Sequence, residues 1–235
     1  MSTRWAIWID IEGFSQLFRI DESRAIFALG ALMKALYKIG FCVFSGEGER
    51  LFIHQFGDGF VIVSDFSEDS PNRPIGICIA IMRHLLSKGI AGKASISGGS
   101  FADISGCYPQ IVLEASQDRR HVKIGNGVMT ILPIMGTALI AAHNLAKKRH
   151  GSVLLFDPLV FDSQPNGVIV HAGQPTVIDW IHSDPSIVAE ICAAASLVYI
   201  APQAAERKIR DYINDNLAEL PAEWISSTLE AAACS

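Results

Sequence analysis

The 235-residue sequence predicts a mixed α/β (α+β) fold: an antiparallel, ferredoxin-like sheet with helices packed on it, followed by a helical C-terminal extension. Three observations carry that expectation. Apolar, strand-like runs occur at residues 5–10 and on both sides of Gly57-Asp58-Gly59, a long segment of helical periodicity separates them, and from Pro185 onward the pattern is wholly helical. With a second helix and a further strand after the hairpin, the order β, helix, β-hairpin, helix, β is that of a split βαβ sheet. The chain divides accordingly into a core domain over residues 1–184 and an extension over residues 185–235.

The elements follow in order. Residues 22–39 place Ile26, Leu29, Leu32, Met33, Leu36 and Tyr37 on one helical face, with Arg24, Lys34 and Lys38 off it and Gly40 as the stop. Residues 52–56 and 60–63 are the hairpin arms. A polar loop at 67–74 leads into a helix at 75–87 carrying Ile77, Ile81 and Leu85, closed by Gly89. Residues 93–99 form a strand of small residues whose terminal glycines allow a backbone or ligand to come close. Residues 101–111 read as an extended arm or loop, 117–121 as a charged surface segment and 129–132 as a strand. A helix at 137–149 ends in Lys147-Lys148-Arg149, as its dipole favours. Short strands follow at 153–156 and within 168–181. Helices at 186–200, 203–220 and 221–233 are expected to be an appendage or dimer-packing element without chemistry of its own.

Composition narrows the function. Half the residues are hydrophobic, enough for a substantial core, and the formal charge is −5. No basic run exceeds residues 147–149, so a groove tracking a nucleic-acid polymer is not expected, whereas a small anionic substrate carrying its own metal ions is compatible. Five cysteines, odd in number and without a C-x-x-C pair, read as buried free thiols of a reducing compartment. The N-terminus enters a strand without a secretory segment, which makes the cytoplasm the expected location. Residues 124–144 carry no charge over about the length of a membrane span. Gly125, Asn126, Gly127, Pro133 and Gly136 interrupt them, so a loop, an extended run and a helix start are expected there, and no membrane.

Chemistry concentrates on two carboxylates. Asp10 ends the first strand and is followed by Ile11-Glu12-Gly13-Phe14-Ser15, a turn leading to a helix; Asp58 sits at the hairpin tip. If the hairpin pairs beside the first strand, both acids meet at one end of the sheet with backbone N–H groups across them, a site for a divalent metal and a polyphosphate. Taken singly, Asp10 reads equally as a helix N-cap and Asp58 as a turn residue.

The motifs at residues 9–15, Gly57-Asp58-Gly59-Phe60, Ser95-Ile96-Ser97-Gly98-Gly99 and residues 136–145 together resemble, in that order, the signatures of class III nucleotidyl cyclases over residues 4–160. The resemblance implies a ferredoxin-like catalytic core in residues 1–184 and a homodimer with active sites at its interface. It implies two Mg²⁺ or Mn²⁺ ions held by Asp10, the Ile11 carbonyl and Asp58, and a triphosphate cradled by the backbone of Ile11, Gly13, Phe14 and Ser15. Purine cyclases of this family read the base with a Lys or Glu where this chain has His54, and with a second residue where it has Pro133. Their Asn-x-x-x-Arg pattern falls on Ile140 and Asn144.

With the purine readers absent, the chain resembles the bacterial pyrimidine cyclases of Pycsar antiphage defence, which signal through cyclic UMP or cyclic CMP to a separate effector protein. That implies conversion of UTP, ahead of CTP, in a pocket narrowed by His54, Phe56, Pro133 and Met135. Asn144 is the candidate donor to transition-state charge, and Lys148, with Lys147 or Arg149, the candidate for the triphosphate. His143 and Ser97 read as structural. His121, Lys123 and Asn126 are expected in a loop that could cover the site. Two alternatives stay open: a purine cyclase with an atypical pocket, and a catalytically dead nucleotide-binding or dimerisation module.

Overall fold

The computed structural model describes residues 4–68, 70–116, 118, 120–158 and 166–232. In chain order, β1 (Arg4–Ile11), α1 (Phe14–Ile20), α2 (Glu22–Lys38), β2 (Leu51–Phe56), β3 (Gly59–Ser64), α3 (Asn72–Leu86) and β4 (Gly92–Gly99) build the first half. Then come β5 (Ala102–Asp103), α4 (Gln110–Glu114), β6 (His121–Ile124), β7 (Gly127–Thr130), β8 (Ile134–Met135), α5 (Thr137–Ala146), β9 (Leu154–Phe156), β10 (Val170–His171) and β11 (Thr176–Ile178). The C-terminal helices are α6 (Ser186–Ala194), α7 (Pro202–Asp215) and α8 (Ala222–Ala231).

The main sheet has the order β10-β11-β9-β4-β1-β3-β2. Its segment β4-β1-β3-β2 is antiparallel throughout, the split βαβ arrangement expected from the sequence, and β9 joins β4 in parallel. Strand alternation separates two faces. Trp5, Ile7, Ile9 and Ile11 point into the larger core under α2 and α3, while Ala6, Val61 and Val63 join Ala138 and Ala142 of α5 on the other side. The small residues of β4 let α5 lie close, and Ser95 Oγ donates to the Ala142 carbonyl at 2.7 Å.

Several boundaries differ from expectation. The buried face of α2 is Ala25, Ala28, Leu32, Ala35 and Leu36, whereas Ile26, Met33 and Tyr37 are exposed: close helix-to-sheet packing selects small side chains, and periodicity alone does not rank apolar residues by size. Gly40 does not stop the helix, which continues as a π-turn over Ile39–Val43. Glu22–Val43 is long and apolar enough to cross a membrane by length and composition, and its alanine-rich face packs on the core. α5 ends at Ala146, so the three basic residues lie beyond it. Residues 101–111 include β5, a 3-10 turn and the start of α4. The expected loop holding His121, Lys123 and Asn126 is instead the β6–β7 hairpin. Gln117 and Arg119 of the charged segment lie outside the described residues. Cys78 and Cys192 are buried free thiols, but Cys42 and Cys107 are exposed, and Cys234 lies outside the described residues.

Helices α6 and α7 pack on α3, α8 packs against residues 149–152, and Val188, Ile191, Ile209, Ile213 and Trp224 belong to the larger core. Arg83 of α3 pins the chain that leads to them. Its buried guanidinium donates to the carbonyls of Trp180, Ile181, Ser183 and Ile200 and faces the Asp184 carboxylate at 3.4 Å.

Candidate active site

The register puts one row of chemistry on the α5 side of the sheet. Trp8 lies opposite Ser95 on one side and Val61 on the other, Val61 lies opposite His54, and Asp10 lies opposite Lys93. Period-two alternation therefore places Trp8 and Asp10 on one face, and the Trp8 indole N–H donates to Asp10 Oδ2 at 2.8 Å. Asp10 Oδ1 is buried and has no hydrogen-bond partner. Burial pushes the Asp10 pKa from 3.8 up to about 6; the Trp8 bond opposes this, Glu12 and Asp58 add like charge, and Lys93 counteracts them. The hairpin pairs beside β1, and Asp58 at its tip is within electrostatic reach of Asp10, the smallest of the influences on it.

Glu12 is occupied otherwise. It accepts from the Gly151 N–H at 3.1 Å and faces the buried Lys93 ammonium at 3.8 Å, so it braces the loop between β1 and α1. Lys93 carries only a weak signal in the sequence, as one cation at the head of a strand of small residues. Ile11 is buried, and Gly13, with φ 76°, turns the chain into α1, where Phe14 packs against the core and Ser15 is exposed. The Gln16 and Leu17 N–H groups donate to the Gly13 carbonyl at 3.0 Å, so the N–H groups at the helix start that could meet an anion are those of Phe14 and Ser15. Gly59 permits the close fit of Trp8: a Cβ there would lie 2.6 Å from the indole.

Of the residues proposed for a base pocket, His54 and Phe56 lie on the Trp8 face. The His54 ring lies 6.2 Å from that of Phe101, its Nε2 is buried without a partner, and burial followed by the Arg120 charge holds its pKa below 6.5. The Phe56 and Trp8 rings are 6.1 Å apart. The Pro133 carbonyl accepts from Ile104, and Met135 pairs with Ala102, so both border the segment that carries Phe101. His143 packs 4.4 Å from Trp8, a structural contact.

Asn144 and Lys148 lie elsewhere in the chain. They line a cleft of about 430 Å³ with Ser97, Asp157 and Thr176, which neither Asp10, Asp58 nor His54 borders. Ser97 Oγ donates to Asp157 there at 3.1 Å. Arg149 is not free for a triphosphate, because Ser227 and Glu230 of α8 engage it.

Among the described residues no group of three or more His, Cys, Asp or Glu side chains could hold a metal ion. Two carboxylates nevertheless fit a Mg²⁺-type centre that completes its octahedron with substrate oxygens and water, and the orphaned Asp10 Oδ1 is the atom such an ion satisfies.

No protein-family model matches the chain, and no curated protein matches it. Among solved structures it is similar to the guanylyl cyclase Cya2, with TM-score 0.43 and 10% identity over 75% of this chain and 89% of that one. A bacterial light-regulated adenylyl cyclase gives TM-score 0.46 and 12% identity, over 87% of this chain and 56% of that one. A class III adenylyl cyclase-like ATP-binding protein from Pseudomonas aeruginosa gives 0.44 and 12%, over 81% and 40%. The chain spans less than two thirds of the second and third. Overlaps of this size assign it no activity.

Proposed function

We propose that the chain is a divalent-metal-dependent nucleotidyl cyclase acting as a homodimer. Its substrate is a pyrimidine nucleoside triphosphate, UTP ahead of CTP, and its products are the 3′,5′-cyclic nucleotide and pyrophosphate. The observation that carries this reading is the buried, unpartnered Oδ1 of Asp10, with Asp58 within electrostatic reach. An uncompensated buried carboxylate oxygen is costly, and a cation shared by the two acids removes that cost.

Asp10, Asp58 and the Ile11 carbonyl would hold the ions. When bound, the metal pair would make the ribose 3′-hydroxyl acidic enough to attack the α-phosphorus and offset charge on the departing pyrophosphate. The chain's own groups do the rest. Backbone N–H groups from Gly13 to Ser15 take phosphate oxygens, and the unpartnered His54 Nε2 meets a base edge in a pocket narrowed by Phe56, Pro133 and Met135. Because Asn144 and Lys148 line a separate cleft, they serve the acids of the partner subunit across the dimer interface. The cyclic pyrimidine nucleotide then acts on a separate effector in antiphage defence, a role that rests on the resemblance alone.

Product analysis after incubation with Mn²⁺ and ATP, GTP, CTP or UTP separately, with Asp58→Ala as control, tests this. One cyclic pyrimidine, absent from the control, is expected. A cyclic purine would keep the reaction and overturn the pocket assignment; no cyclic product from any nucleotide would overturn the enzyme reading.

A further inference from the structure

On the opposite face of the sheet, a cleft of about 440 Å³ lies between α2, the end of α3 and residues 196–198. Phe27, Ala31, Leu197 and Val198 give it apolar walls, and three cations border it: Lys34 and Lys38 of α2, and Lys88 just beyond α3. Among the described residues no carboxylate lines it, although the whole chain carries a formal charge of −5. Among the described residues none of these lysines pairs with an acid; Lys38 Nζ donates only to the Ser196 carbonyl, at 3.4 Å.

At the back of the cleft, His84 Nδ1 accepts from the Val198 N–H at 2.9 Å, so the neutral ring carries its proton on Nε2 as a further donor. Burial, then Lys88 and Lys38, push the His84 pKa down to about 4. Burial is the larger cause, and the Lys88 and Lys38 charges that add to it are charges that also attract an anion. Size also fits, since small-molecule sites run from about 300 to 1,000 Å³ with few polar groups among apolar walls.

We infer that this cleft is a second ligand site, which takes a phosphate monoester carried on an apolar or planar body. Its phosphate meets the three ammonium groups, and its body packs on Phe27, Ala31, Leu197 and Val198. A soluble nucleotide and a membrane phosphatidate share this chemistry. The site uses none of the residues of the cyclase reading and stands or falls apart from it.

The test is equilibrium binding to the full-length chain in EDTA. One arm uses adenosine monophosphate with inorganic phosphate as the body-less control; the other uses phosphatidylcholine vesicles with and without phosphatidic acid. Saturable binding in at least one arm is expected, unchanged in Asp58→Ala and retained in Lys34→Arg/Lys88→Arg. Lys34→Gln/Lys88→Gln should weaken it at least tenfold, about the effect of losing one charge-assisted contact. Gly30→Leu provides a variant that keeps every lysine: Gly30 lines the cleft, a Cβ there meets nothing within 4 Å, and leucine favours the helix. It should block binding by filling the space. No saturable binding in either arm, binding indifferent to the lysine and Gly30 variants, binding lost in Asp58→Ala, or inorganic phosphate binding as tightly as the nucleotide would each overturn the inference.

Discussion

The Trp8 indole N–H donates to one carboxylate oxygen of Asp10 at 2.8 Å, and the other oxygen of Asp10 is buried with nothing to receive. The indole thereby fixes the carboxylate while leaving its acceptor capacity half used. Trp8→Phe keeps the packing against Phe56 and His143 but removes the donor. We expect a loss of about 2 kcal/mol in metal-free stability at neutral pH, the scale of a hydrogen bond to a charged group, and weaker Mn²⁺ binding. Urea unfolding and metal titration check both; an unchanged midpoint would show that the bond does not hold Asp10.

Without metal, an ionised and partly unsatisfied Asp10 is a burden to the fold. Asp10→Asn should therefore be more stable than the parent in EDTA at pH 7, by about 1–3 kcal/mol. Adding Mn²⁺ should raise the parent's melting temperature and leave the variant's unchanged, because only the parent gains a bound ligand. Paired thermal melts decide this. A parent indifferent to Mn²⁺ would remove the main support for the metal site.

The pairing of the Asp58 hairpin beside the strand that ends in Asp10 was legible because it depends on strand period and hairpin register, both of which are local patterns. The side-chain row Ser95, Trp8, Val61, His54 follows from the same rules. What could not be read was the choice among apolar residues of α2, where Ala28 and Ala35 are buried and Met33 and Tyr37 are not. That choice depends on how closely the helix approaches the sheet. Nor could the capture of Arg149 by α8 be foreseen, since its partners lie 78 and 81 residues away in sequence. The basic run looked free because only the fold reveals its acid.

Gly59→Ala tests the fit around the indole. The added Cβ would lie 2.6 Å from Trp8 Cζ2, a fused-ring atom that cannot swing aside alone. Displacing the ring breaks the Asp10 contact, so a stability loss of about 1–3 kcal/mol is expected, together with loss of the proposed cyclase activity. Denaturant midpoints and product assays check it, and near-normal activity would show that the ring position is not required.

His84 gives a pH dependence of definite sign. Its pKa is about 4 in the fold against 6.5 for the free side chain, so between these values the unfolded chain binds the proton and the native one does not. The native state is favoured fully above pH 6.5, and that advantage is lost as pH falls towards 4. Allowing for the water that reaches the ring, the loss is about 1–2 kcal/mol. Urea midpoints across this range should fall less steeply in His84→Gln than in the parent; parallel slopes would assign the acid sensitivity to other groups.

The separation of Asn144 and Lys148 from Asp10 and Asp58 makes a prediction that a single subunit cannot satisfy. If each site draws its acids from one chain and its Asn144 and Lys148 from the other, Asp58→Ala and Asn144→Ala/Lys148→Ala should each be nearly inactive as homodimers. In a mixed dimer the two lesions fall on the same site, and the other site is intact. Random mixing of equal amounts makes half the dimers mixed, each with one working site of two, so about a quarter of parental activity should return. Co-expression of differently tagged chains, followed by product assay of the doubly purified species, should recover about half. If the acids and the cleft residues act within one chain, every site in the mixture carries a lesion and no activity returns. Recovery is therefore a direct readout of whether the surface between α5 and the hairpin tip is shared between subunits.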